Sequence, residues 1–156
     1  MPLGDSFPLE QRLETFQRSL RAGTVFYLFC DFTTPPKEKY LLLACIRPAP
    51  LFLIINSEVP EFYLSRSHLR DRQVQVLAAE HGFLSHDSFV DCTKTFAQFS
   101  LERLQDQVLS DIGRIKGEIS PPARAAVIKA VLAARTIEVK YKQWMLKELE
   151  LGEDES

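Results

Sequence analysis

Three short apolar runs, separated by proline-bearing breaks, constrain this chain more than any other feature. The first covers residues 25–32 and ends at Thr33-Thr34-Pro35-Pro36; the second covers 40–46 and ends at Arg47-Pro48-Ala49-Pro50; the third, 51–55, follows at once. The β-branched and ring side chains of the first run suit a strand buried on both faces. A parallel crossover needs about a dozen residues or more, and neither break supplies them. The pattern therefore predicts short antiparallel strands of a small barrel or sandwich rather than βαβ units.

Helical patterns flank these runs. Leu9, Leu13, Phe16 and Leu20 recur at steps of four, three and four, with Ser6 and Pro8 as starting signals and Gly23 as the stop. Residues 66–72 read as an exposed loop or short helix, 73–78 and 88–92 as further strands, and 112–119 as a connecting strand or loop. Ser100 is placed to cap a helix over 101–109 with Leu101, Leu104 and Val108 inward. Ser120-Pro121-Pro122 combines an N-cap hydroxyl with proline in the first helical turn, so a helix starts there. Its expected stripe is Val127, Ile128, Val131 and Leu132, with Arg124, Lys129 and Arg135 outward. Ile137, Tyr141, Trp144, Met145 and Leu149 mark a last helix whose apolar stripe must be buried. The expectation is one α+β domain over residues 1–151, with a β core at about 22–119, C-terminal helices at about 120–151 and an acidic tail at 152–156.

The 156 residues carry a formal net charge of −2, which gives no global reason to expect nucleic-acid binding. Locally, residues 37–72 hold six Lys or Arg against four acids. Cys30, Cys45 and Cys92 form no CxxC pair and suit a reducing compartment. No secretory leader pattern is present, and no apolar run reaches the ~18 residues of a membrane span. A cytoplasmic protein without membrane association is expected.

No familiar phosphate-binding or metalloprotease motif occurs. His81, His86 and Cys92 fit no compact zinc spacing, and the adjacent residues His86-Asp87-Ser88 cannot be read as a triad, which is defined by geometry. Neither a metal nor a cofactor is expected. What remains is Lys37-Glu38-Lys39 at the entry to the second strand and Asn56-Ser57 at the exit of the third. If those strands pair through Pro48 and Pro50, a cation and a hydroxyl meet at one end of the hairpin. An ammonium stabilises charge developing on a phosphate, and a hydroxyl donates to one of its oxygens. From spacing alone the same residues are better explained as a solubilising strand edge and a plain turn.

Several segments resemble the PemK/MazF family of toxin endoribonucleases. Ala22-Gly23-Thr24-Val25-Phe26 is similar to the family's glycine-led first strand, and Glu38-Lys39-Tyr40-Leu41-Leu42-Leu43 to the strand usually led by Arg-Arg-Pro. Leu53-Ile54-Ile55-Asn56-Ser57 resembles the next strand, which commonly ends in Thr or Ser. Gly82-Phe83-Leu84, Ser88-Phe89-Val90-Asp91-Cys92 and Ile115-Lys116-Gly117-Glu118-Ile119-Ser120 resemble the late segments. The resemblance covers roughly residues 22–137. It implies an SH3-like barrel with flanking helices, a homodimer neutralised by a cognate antitoxin, and metal-independent cleavage of single-stranded RNA by 2′-hydroxyl attack on the adjacent phosphate. Carried over by position, the arginine role goes to Lys39 and the hydroxyl role to Ser57, with Lys37, Asn56 and Arg47 as substrate-binding residues. Lysine is a point charge without arginine's planar fork, so this replacement is not conservative. A catalytically silent barrel that binds or inhibits a protein is the alternative expectation.

Overall fold

The computed structural model describes residues 8–155, with side chains described through Gly152. Its centre is a six-stranded antiparallel sheet, curled into a half-barrel, with helices at both ends of the chain. The strands are β1 (Thr24–Cys30), β2 (Lys37–Cys45), β3 (Leu51–Asn56), β4 (Gln73–Val76), β5 (Ser88–Asp91) and β6 (Ile115–Glu118), in the order β4-β5-β3-β2-β1-β6. The helices are α1 (Leu9–Ser19), α2 (Glu61–Leu64), α3 (Ser67–Arg70), α4 (Leu101–Ser110), α5 (Pro121–Ala133) and α6 (Val139–Glu155). The proline breaks turn the β1–β2 and β2–β3 hairpins, as their shortness requires.

Both faces of the sheet's centre are covered, which is why β1, β2 and β3 carry continuous apolar runs, whereas the edge strands β4 and β6 alternate. On one face Phe26, Leu28, Leu41, Leu43 and Phe52 pack with Phe16 of α1, Leu104 and Val108 of α4, and Phe99. On the other, Val25, Leu42, Leu51, Leu53 and Ile55 pack with Val127, Ala130 and Val131 of α5 and with Met145 and Leu149 of α6. Each large side chain so buried contributes about 1.5–3 kcal/mol relative to exposure. Gln107 of α4 reaches the backbone of Phe29 with both amide atoms, accepting from its N–H at 2.9 Å and donating to its carbonyl at 3.1 Å. It thus supplies strand-like partners where β1 runs past β6.

The two serine caps form as expected: Ser100 Oγ accepts from Arg103 N and Ser120 Oγ from Ala123 N. Other expectations need correction. Leu101 and Leu132 are exposed, and the packing stripe of α5 is Ala123, Val127, Ala130, Val131 and Ala134, whose alanines let the helix sit close to the sheet. Arg124 points inward, 7% exposed, where its guanidinium donates to Ala22 O at 2.7 Å and Leu149 O at 3.0 Å. The guanidinium fork thus ties the main chain of the α1–β1 turn to that of α6. Gly23, at φ 107°, lies in the left-handed region that favours glycine. Ile137 is buried but precedes α6, and the backbone of α6 stays helical to Glu155, past the expected start of the tail. Ser6 lies outside the described residues.

Candidate functional site at the open end of the hairpin

The β2–β3 hairpin has two unlike ends. At the turn end, the Glu148 carboxylate of α6 accepts from Ile46 N and Arg47 N, each at 3.0 Å. At the opposite end the pairing of Tyr40 with Ile55 places Lys39 beside Asn56. Lys39 Nζ donates to Asn56 Oδ1 at 2.8 Å. The strands open there into a cleft of about 450 Å³ whose walls include Lys37, Lys39, Asn56 and Ser57. Lys37 and Ser57 are exposed, Lys39 and Asn56 half-buried.

The structure therefore brings together four of the five residues singled out from the sequence. Arg47 does not join them. It leaves β2 at the turn end, eight residues from Lys39, which at ~3.3 Å per residue is roughly 26 Å away. Its place is a consequence of antiparallel pairing: residues near the turn cannot reach the open end.

Burial lowers the pKa of the Lys39 ammonium below its usual 10.5, and the neighbouring Lys37 charge lowers it further; Cys30 and Asp91 act in the opposite direction and Lys94 with Lys37. Its hydrogen-bond partner is a neutral amide, so the cation keeps its charge for an incoming anion. Glu38, also in the cleft wall, is paired with Arg114 at 2.7 Å. Glu58 and Glu61 line the cleft beyond Ser57.

A buried polar network holds the far wall. Asp91, 2% exposed, accepts from Thr93 N at 3.0 Å, Thr93 Oγ1 at 2.6 Å, Gln73 Nε2 at 2.9 Å and Tyr63 Oη at 3.1 Å. Tyr63 sits on α2, five residues after Glu58, so its bond to Asp91 anchors the loop carrying Ser57 to β5. Sequence reading missed Tyr63, Asp91 and the whole of α2. The available signal was the Phe62-Tyr63 pair after Pro60, which is weak by itself.

His81 is buried with both ring nitrogens engaged, Nδ1 with Leu77 O at 2.7 Å and Nε2 accepting from Ser120 N at 3.0 Å, a structural role. Ser88 Oγ donates to the backbone carbonyl of His86 and Asp87 Oδ1 accepts from Ala78 N, so these three neighbours form no triad. Among the described residues no group of three or more His, Cys, Asp or Glu could hold a metal ion, and no helix is long and apolar enough to cross a membrane. A second cavity, near the start of α5, is lined by Arg21, Glu118, Arg124 and Glu148. Its charges serve internal contacts: Arg21 pairs with Glu118, and Arg124 and Glu148 hold backbone groups. The chain matches no known family model and no curated protein.

Proposed function

We propose that this chain is a PemK/MazF-like endoribonuclease, an SH3-like barrel that cleaves single-stranded RNA without metal and works as one half of a toxin–antitoxin pair. The observation that carries this reading is the 2.8 Å contact of Lys39 Nζ with Asn56 Oδ1 beside Ser57 in an open cleft. A cation and a hydroxyl there come within reach of one phosphodiester. In the reaction the 2′-oxygen attacks phosphorus and gives up its proton. The bond to the 5′-oxygen breaks, and that oxygen leaves as a hydroxyl, so the products are a 2′,3′-cyclic phosphate and a new 5′ end. Lys39 stabilises the charge that builds on the phosphoryl oxygens, and Ser57 donates to one of them. Lys37 and Asn56 position the strand. The protein acts as a homodimer in the cytoplasm, and a cognate antitoxin silences it by covering the cleft.

The test is incubation of an unstructured RNA with purified protein in the presence of a chelator. Cleavage that leaves cyclic phosphate ends supports the reading; intact RNA, together with unslowed growth on expression, overturns it. A silent protein-binding or inhibitory barrel is the second reading. It is favoured by Phe62 and Leu64 of α2, 60% and 53% exposed beside the cleft, and by the acidic side chains on the cleft's far wall. One stoichiometric protein partner and no RNA activity would select it.

A further inference from the structure

The cleft holds a feature that neither the cation nor the hydroxyl explains. Tyr27 of β1 and Tyr40 of β2 are cross-strand neighbours and both line the cleft. Their ring centroids are 4.7 Å apart with the planes tilted by 50°, so one ring at a time can meet a base face to face, and Tyr40 continues the row to Phe83, 6.2 Å away. Both tyrosines are half-buried. The row is held in place. Tyr40 Oη donates to Phe83 O at 3.3 Å, and Arg114 donates from Nη1 to Tyr27 O at 2.8 Å while its Nη2 holds Glu38. Gly117 lies under Phe83, where a Cβ would approach the ring to 3.2 Å. Lys116 Nζ stands 5.8 Å from the Tyr27 centroid.

We infer that the Tyr27–Tyr40 step is a stacking platform for one unpaired nucleobase of an RNA strand whose phosphate lies at Lys37 and Lys39. The inference rests on the ribonuclease reading and deepens it by assigning a base subsite. Rigid aromatic faces beside cations are the combination that single-stranded nucleic acid uses, because every base has a π face and every linkage a negative charge. The preference is for stackable bases in general rather than for one hydrogen-bonding edge, since the platform offers ring faces.

The test uses a short 2′-O-methyl RNA oligomer, which cannot cleave itself, and an abasic oligomer of equal length. Wild-type protein should bind the base-bearing strand about 5- to 100-fold more tightly, the range expected for stacking of one base. Tyr27→Leu keeps apolar bulk without a π face and should abolish that ratio; Tyr27→Phe should keep it. Both variants are checked for an unchanged melting temperature, and Tyr40→Leu serves as the second variant if Tyr27→Leu does not fold. Equal affinity of wild-type protein for the two strands, or an unchanged ratio in the folded leucine variant, overturns the platform even when the protein cuts RNA. If neither strand binds and RNA stays intact, the platform and the ribonuclease reading fall together.

Discussion

One pair of strands ends in two different ways, and the difference separates stability from chemistry. At the turn end of β2–β3, an α6 carboxylate satisfies two main-chain N–H groups, and the adjoining core is sealed by Met145 and Leu149. At the open end a cation is half-buried against an amide, in a cleft that α2 borders through Glu61. The closed end satisfies its polar groups internally. The open end keeps a half-buried cation whose hydrogen-bond partner is a neutral amide. Burial of a charge is costly, and a partly desolvated ionisable group in a cleft is a candidate functional site.

The largest effect should come from removing the closed end's cover. Deleting residues 138–156 takes away two fully buried side chains and the Glu148 clamp, and the truncated chain should show no cooperative melting transition or should precipitate. An unchanged melting temperature and oligomeric mass would mean that α6 is dispensable, and the contrast between the ends would collapse. Lys39→Ala at the open end should do the reverse. It is expected to lower RNA cleavage about 10²–10³-fold, as loss of one charge-stabilising donor does, while urea denaturation detects little change in stability. A comparable loss of stability with no change in cutting would exchange the roles of the two ends.

Glu148→Ala is smaller again. It leaves the part-buried Ile46 N–H and the exposed Arg47 N–H without their acceptor, a net cost of about 0.5–1.5 kcal/mol where water can replace the carboxylate, measured as a shift in the urea midpoint. Cleavage by the folded fraction should be unaltered. The charge state of Lys39 offers a finer comparison. Its pKa in the fold is depressed, so an activity that needs the ammonium should fall as pH rises through that lowered value, below the usual 10.5. For stability the sign is opposite. Between the folded and unfolded pKa values the unfolded chain binds more protons, so this group's contribution improves as pH rises through that window. A cleavage rate that climbs across the same range would show that the neutral amine is the working form.

The turn end was the more legible of the two in sequence. Proline announces its own turns, and the serine caps at Ser100 and Ser120 act through bonds to main chain within three residues, so short-range rules find them. Lys39 and Asn56 were also within reach, because antiparallel pairing of two adjacent strands follows from one turn. What stayed hidden depends on contacts between distant segments. Arg124 reads as an outward charge until the carbonyls of Ala22 and Leu149, 102 and 25 residues away, come together around it. β2 starts at Lys37, three residues before the apolar run, because its first pairs with β1 are made by backbone and need no apolar side chain. The Tyr63–Asp91 tether likewise spans 28 residues and has no local pattern.

The smallest effect uses the cysteines that mark the two ends. Cys30 closes β1 opposite Lys37 at the open end, and Cys45 closes β2 at the turn. Burial pushes the Cys30 thiol up from 9.0 to about 11, with the Lys39 cation drawing it back; burial and the Glu148 carboxylate push Cys45 up to about 12. Thiolate is the reactive form, and one unit of pKa changes its fraction about tenfold. Raised thiol pKa values contribute stability that is fully present below pH 9 and lost as pH rises through 11 to 12. Alkylation of native protein, followed peptide by peptide as pH is raised above 9, should therefore modify Cys30 before Cys45. Lys39→Ala removes the cation beside Cys30 and should delay its modification while leaving Cys45 unchanged. Earlier modification of Cys45 in the wild-type protein would mean that the Glu148 clamp opens more readily than the strand ends at the cleft, and the closed end would then be the looser of the two.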